Sequence, residues 1–290
     1  MDMIRRRIER QVFSLTGLSL GGIDYEHPKG DPGLFGPDSA CWRVHGDFPS
    51  MLCGGISALM LQMLHPLALA GVWDHSRFRD DMIGRLRRTS QFIAGTTFAP
   101  AADARHLIER VRRIHDDVHG IAPDGRHYSA NDPDLLTWVH VAEVSCFLKA
   151  HLRYCNTLLS GAEQDRYYDE VALIAESLGA RDVPRCRRDV EAYLERIRPL
   201  LTYDERTAEV LSILLEAPSP NRLTRPLGYL MTHAAIDLLP AWAGTMTGLR
   251  LSPVRRRLVR LGMGGLIPAL RWSIRNGASH RSRRRMGIEV

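Results

Sequence analysis

Residues 64–89 read LHPLALAGVWDHSRFRDDMIGRLRRT, and residues 112–140 read RRIHDDVHGIAPDGRHYSANDPDLLTWVH. Seven of the chain's twelve histidines fall between Leu64 and His140. Several sit on stretches that otherwise read as apolar or amphipathic helix. Imidazole is costly to bury without a hydrogen-bond partner or a metal. The cluster therefore predicts a metal or haem pocket among packed helices.

Working outward, residues 100–119 form a periodic amphipathic helix, with Leu107, Val111, Ile114 and Val118 spaced four, three and four. Gly120 to Asn131 reads as a loop. Asp132 then reads as an N-cap with Pro133 in the first turn of a helix running to about Leu159. Upstream, Pro49 to Ala70 reads as one apolar helix ending near Gly71. The wider stretch from Met51 to Trp73 has the length of a membrane span. Gly54-Gly55, Gln62, His65 and Pro66 interrupt it, so it reads as a central buried helix. The segment VWDHSRFRDDM is a polar link to a helix from about Ile83 to Thr97.

Further helices are expected over 163–178, 185–200, 203–216, 226–239 and 253–275, punctuated by Pro184, Pro218, Pro220 and Pro226. Residues 17–46 are rich in Gly, Pro and Asp and read as irregular. Strand-like alternation is nearly absent. The expected fold is one all-α domain of roughly ten helices. An N-terminal helix and irregular arm cover 1–39, the helical domain 40–276, and a basic tail 277–290.

The 290 residues, 44% hydrophobic and 25% charged, have the composition of a soluble globular protein. The net charge is +6. Only Lys29 and Lys149 are lysines, so 37 of the 39 basic residues are arginine. Such a bias fits solvated helix faces, and also fits anion or acidic-cofactor binding, because guanidinium clamps carboxylates bidentately. The tail HRSRRRMGIEV and Arg255 to Arg257 read as a solvated, partly disordered end. Peripheral contact with an anionic membrane surface is the functional alternative. No nucleic-acid-binding motif accompanies the charge. The five cysteines form no C-x-x-C pair, so reduced thiols in a cytoplasmic protein are expected. The N-terminus, MDMIRRRIERQVFSL, reads as a charged amphipathic helix and lacks the apolar core of a signal peptide.

His115 and His119 share a helix face. Residue 116 is Asp, so the H-E-x-x-H pattern of a zinc hydrolase is incomplete. His119, at the predicted helix end, reads as a cap for the last carbonyls, and His115 is the better placed to point inward. Arg85, Arg88 and Thr89 also share a face bordered by Phe92, Ile93 and Gly95. Arg112 and Arg113 are available to an anionic cofactor. His65 precedes Pro66 at a break in the helix, and His75 follows Asp74 at a turn or cap. His140 follows Trp138 on a buried face, as a core histidine or a ligand.

Together, the run HP-x4-G-x3-HS-x-F, then R-x-x-R-T, R-x-x-H and YSA-x-DPDLL-x-WVH resembles the MpaB/rubber oxygenase catalytic-domain family over about residues 40 to 275. The resemblance is densest from Gly46 to His140. It implies an all-α fold with a globin-like helical core that, in the latex-clearing members, holds a b-type haem (heme b). By motif the proximal iron ligand matches His115, and the distal arginine and threonine match Arg85 and Thr89. Where those members carry a lysine able to occupy the distal iron position, this chain has Arg88. Guanidinium offers no free lone pair, so the resemblance implies an open or water-bound distal site. The stretch in which the family's catalytic glutamate is expected, PLALAGVWD, offers only Asp74.

The resemblance implies a haem-dependent oxygenase that uses dioxygen on a hydrophobic small molecule, with attack at a C=C bond. His65, Arg112 and His140 join His115 as cofactor-contact candidates. Two other classes stand beside this reading. One is a haem-binding sensor or carrier without turnover. The other is a metal-dependent hydrolase or a helical scaffold without cofactor.

Overall fold

Asp132 caps the longest helix among the described residues, its carboxylate accepting from the backbone N–H of Asp134 and Leu135, with Pro133 in the first turn. The computed structural model in which this is seen describes residues 2–16, 22–216 and 225–289. Residues 17–21 of the irregular arm, and Pro218 and Pro220, lie outside the described residues. The fold is all-α. Fourteen helices and one two-stranded hairpin are present among the described residues.

The elements in chain order are α1 (Asp2–Thr16), α2 (Ala40–His45), α3 (Phe48–Gln62), α4 (Pro66–His75), α5 (Met82–Phe98) and α6 (Ala101–Asp116). Then come β1 (His119–Ile121), β2 (His127–Ser129), α7 (Pro133–Tyr154), α8 (Gly161–Leu178), α9 (Arg187–Ile197) and α10 (Glu205–Glu216). The chain closes with α11 (Arg225–Leu238), α12 (Ala241–Thr247), α13 (Pro253–Ser273) and α14 (Ala278–Arg285).

The core is built on α3 against α7, with α11 on the other flank of α3. Cys53, Ile56, Met60 and Leu61 are all buried, so α3 is enclosed around most of its girth, as a central helix must be. Trp138, Phe147 and Cys146 face it from α7. α8, α9, α10 and α13 complete the main cluster through Tyr167, Val190, Leu211 and Met263.

The single helix expected over 49–70 is two helices. α3 and α4 meet at 103° across Met63, Leu64 and His65. Pro66 cannot donate to a helix arriving from its N-terminal side, so it opens a new one. The supposed polar link after Gly71 is helical as far as His75. No single helix is long and apolar enough to cross a membrane among the described residues.

The expected loop over 120–131 contains β1 and β2, paired antiparallel with Gly120 opposite Tyr128. α6 buries Ala104 and Ile108, whereas Ile114 is 53% exposed, so its inward stripe is rotated from the expected one. The short helices α2 and α12 were not expected at all.

The basic tail is also not solvated. α14 packs beside α5, and Arg285 is buried, donating to Asp31 O at 2.7 Å and Tyr25 O at 3.0 Å. Arg284 is held by Glu26 at 2.7 Å. A helix that spends its arginines on the protein's own N-terminal arm is not a free basic tail.

Candidate functional site

The sequence-predicted residues divide into those inside the fold and those on its surface. α5 starts at Asp81, whose side chain accepts from Gly84 N. One turn on, Arg85 is half-buried. Its Nη1 donates to Ser76 Oγ at 3.1 Å, and no carboxylate pairs with it among the described residues. Burial, with Arg88 nearby, pulls its pKa down to about 10. Thr89 Oγ1 donates to Arg85 O at 3.2 Å. Arg88 is different: it is exposed, 3.6 Å from Asp81 Oδ2. Of the three residues expected on one face bordered by apolar side chains, Arg85 and Thr89 are half-buried, whereas Arg88 turns outward to its ionic partner Asp81.

α6 follows α5 directly, and Leu107 occupies the space that a side chain on Gly95 would need. The two helices form a hairpin that carries Arg85 and Thr89 on one arm and His115 on the other. His115 is half-buried in the last turn of α6, on the line continued from Ala104, Ile108 and Val111. Its Nδ1 is enclosed without a hydrogen-bond partner. Burial lowers its pKa against a smaller opposing effect of Asp116, so the ring is neutral near pH 7. Arg112 and Arg113 are exposed.

His119 does not cap α6. It opens β1, and its carbonyl accepts from His75 Nε2 at 3.2 Å. His75 Nε2 also meets Tyr128 Oη at 3.2 Å, and that hydroxyl donates to Asp74 Oδ2 at 2.6 Å. Asp74 and His75 thus clamp the hairpin to α4 at the surface, and Asp74 is not a buried acid.

α7 supplies a second group. His140 and Glu143 lie one turn apart on α7, both half-buried and both desolvated enough to shift their pKa values. His140 Nε2 is enclosed and unpartnered, and burial lowers its pKa to about 4. Burial raises the Glu143 pKa to about 7, opposed by a hydrogen bond from Gln62. Gln62 also donates to Val139 O at 3.0 Å, and Trp138 Nε1 donates to Gln62 O at 3.2 Å. His65 is buried at the α3–α4 break with its ring 6.1 Å from Trp138 and its Nδ1 unpartnered. Burial lowers its pKa to about 4.

Beside these, His45 of α2 bonds Thr97 Oγ1 and Tyr167 Oη, each at 2.8 Å, and is pushed to about 3 by burial with His151 and His140 nearby. Sequence reasoning missed Glu143 and His45. The available signal was an acid placed within the otherwise apolar run from Trp138 to Leu148.

No three His, Cys, Asp or Glu side chains gather to hold a metal ion among the described residues. A multi-ligand zinc centre therefore finds no donor set there. His115, His65 and His140 each have an enclosed, unpartnered ring nitrogen without gathering into one ligand cluster, and a porphyrin-held iron needs only one imidazole from one face.

An apolar groove of 280 Å³ runs between α3 and α5. Gly55, Ile56, Leu59, Leu86, Ile93 and Phe147 line it together with Thr89. Of the predicted site residues, only Thr89 reaches it.

No curated protein and no solved structure matches the chain. The family model described as "ER-bound oxygenase mpaB/B'/Rubber oxygenase, catalytic domain" matches residues 42–272, from Trp42 through Trp272, and so takes in both helical arms and the α7 wall. The chain belongs to the mpaB/rubber oxygenase catalytic-domain family, a family of oxygenases.

Proposed function

We propose that the protein is a haem b-dependent oxygenase that acts with dioxygen on an apolar substrate, attacking a C=C bond. His115 carries this reading: a half-buried, neutral imidazole with an unpartnered Nδ1, on the arm of a hairpin whose other arm bears Arg85 and Thr89. The donors suit a haem, which needs one imidazole from the protein: His115 has a free ring nitrogen, and no cluster of three metal-ligating side chains competes for iron among the described residues. Bound through His115, haem iron would supply the dioxygen activation that no side chain here can.

The chain's own residues do the rest. His115 presents a lone pair without first losing a proton. Arg85, lacking a carboxylate partner, keeps donor capacity for negative charge that develops beside it. Thr89 lies at the boundary of the groove, so a substrate held there is bordered by a hydroxyl. Glu143 retains a proton on its carboxyl to about pH 7, and is the desolvated acid that Asp74 is not. The groove walls exclude water from an apolar substrate. Arg88, on the surface, contributes no group to this interior.

Cys41, Cys53 and Cys146 are buried free thiols, which supports a cytoplasmic setting for the protein. The test is spectroscopic and then catalytic. The protein purified after expression with ample haem should show a Soret band, and should consume oxygen with a terpenoid or other polyprenoid alkene. A Soret band without oxygen uptake across a broad alkene panel would reduce the reading to a haem carrier. A colourless protein would end it.

A further inference from the structure

The groove does not end among apolar side chains. At the far end its lining passes to Arg271, Gly277, Ala278, Ser279 and His280. Arg271 and His280 also line an open basin that takes in Arg275, Arg284 and Glu289. Arg271 and His280 line both spaces, so the basic mouth adjoins the apolar groove at these two residues.

The charges at that mouth are not equivalent. Arg271 is committed, with Nε and Nη2 on Asp47 at 2.6 and 3.0 Å and Nη2 also on Tyr154 O at 2.8 Å. Arg284 is committed to Glu26. Arg275 is exposed, and its guanidinium has no partner among the described residues. Its backbone N–H and that of Asn276 donate to Glu9 Oε1, each at 2.8 Å. Gly277, which precedes α14, offers it no side-chain cap, and Gly277, Ala278 and Ser279 line the groove beside this basin. Against these stands Glu289, the one carboxylate lining the basin.

We infer that the groove binds an amphiphile with an apolar chain and a single carboxylate head, the chain lying between α3 and α5 and the head meeting Arg275 at the start of α14. The cavity of 280 Å³ takes about nine methylene-sized groups, at roughly 30 Å³ for a water-sized group. One free guanidinium beside one carboxylate favours a head of charge minus one over a phosphate dianion. The use of this amphiphile as the oxidised substrate rests on the oxygenase reading above. Its binding does not.

The test is titration calorimetry of the full-length purified protein, haem-loaded and haem-free, with decanoate, decanol, decyl phosphate and acetate, all below their micelle concentrations. Decanoate should bind about tenfold tighter than decanol or decyl phosphate, and acetate should not bind detectably. Arg275→Ala should bring decanoate down to the level of decanol. Ile93→Trp, which fills the groove, should abolish binding of both.

Equal binding of decanoate and decanol by the unaltered protein would overturn the inference. So would an unchanged preference in Arg275→Ala, or uptake seen only with micelles or anionic vesicles, which marks surface adsorption. Loss of decanoate binding on haem loading would also overturn it, by showing that the cofactor occupies the groove. A protein that binds decanoate but shows no Soret band removes the oxygenase reading alone, and the reverse result removes this one alone.

Discussion

Gly54 of α3 rests against the backbone of Cys146 on α7, so closely that a Cβ on Gly54 would stand 3.0 Å from Cys146 O and 3.1 Å from Phe147 Cα. The obstacle is main chain, which no rotamer change can move. This contact sets the spacing of the two helices that carry the core. Gly54→Leu should therefore destabilise the protein by about 2–3 kcal/mol. A denaturant midpoint unchanged from that of the parent protein would show that α3 and α7 are free to separate.

The burial of Arg285 gives a second expectation. Its guanidinium satisfies two carbonyls of the N-terminal arm, and Nη2 is enclosed without a partner. Hydrogen bonds from a charged donor contribute about 1.5–3 kcal/mol. Arg285→Ala should lower stability by about 2 kcal/mol and speed proteolytic cleavage within residues 277–289. Cleavage at the parent's rate would return this segment to a solvated tail.

The buried titratable groups give opposing pH effects. His45, His65 and His140 have folded pKa values of about 3, 4 and 4, below the ordinary 6.5. Below pH 6.5 the unfolded chain takes up these protons and the folded one does not, so stability falls with acidity. Glu143 acts in reverse: between 4.5 and about 7 the folded state alone keeps its proton, so stability falls as pH rises. Each group is worth about 1.4 kcal/mol per pH unit within its window. Three imidazoles outweigh one carboxyl, so the melting temperature should drop between pH 6.5 and 4.5. Glu143→Gln should stabilise progressively more from pH 5 to about pH 7 and level off above it. A difference from the parent that is constant with pH would mean Glu143 is not shielded as described.

How far the sequence could be read follows from what each residue reports. The α7 start was legible because Asp132-Pro133 is a local signal whose bonds are made within three residues. α6 was legible as a helix, but its inward face was not. Ile114 is apolar and exposed, and only the tertiary partners of Ala104 and Ile108 decide the rotation. α14 carries no apolar stripe, since its key buried group is an arginine held by distant carbonyls. The hairpin has strands of three residues, too short for alternation to show. The half-burial of His115 was legible from its position beside the stripe, whereas the exposure of Arg88 was not, because its pairing with Asp81 depends on how the α5 N-terminus sits. Glu143 looks like a surface residue until α3 is laid against it.

Substitution of Arg85 is the means to separate cofactor holding from turnover under the proposed function. Arg85 is half-buried and bound to Ser76 and not to a carboxylate, so its removal strands no acid. Arg85→Met should leave the Soret band in place and lower the oxygen-uptake rate about a hundredfold, the scale of losing one preorganised donor. An uptake rate equal to that of the parent would exclude Arg85 from the reacting environment.

The most direct measurement is the absorbance spectrum of the purified protein, oxidised and then reduced, beside those of His115→Ala and His140→Ala. A Soret band should appear in the parent, shift on reduction, persist in His140→Ala, and be lost or strongly weakened in His115→Ala. A parent protein without the band, or a His115→Ala variant with a band identical to the parent's, would contradict the proposed function.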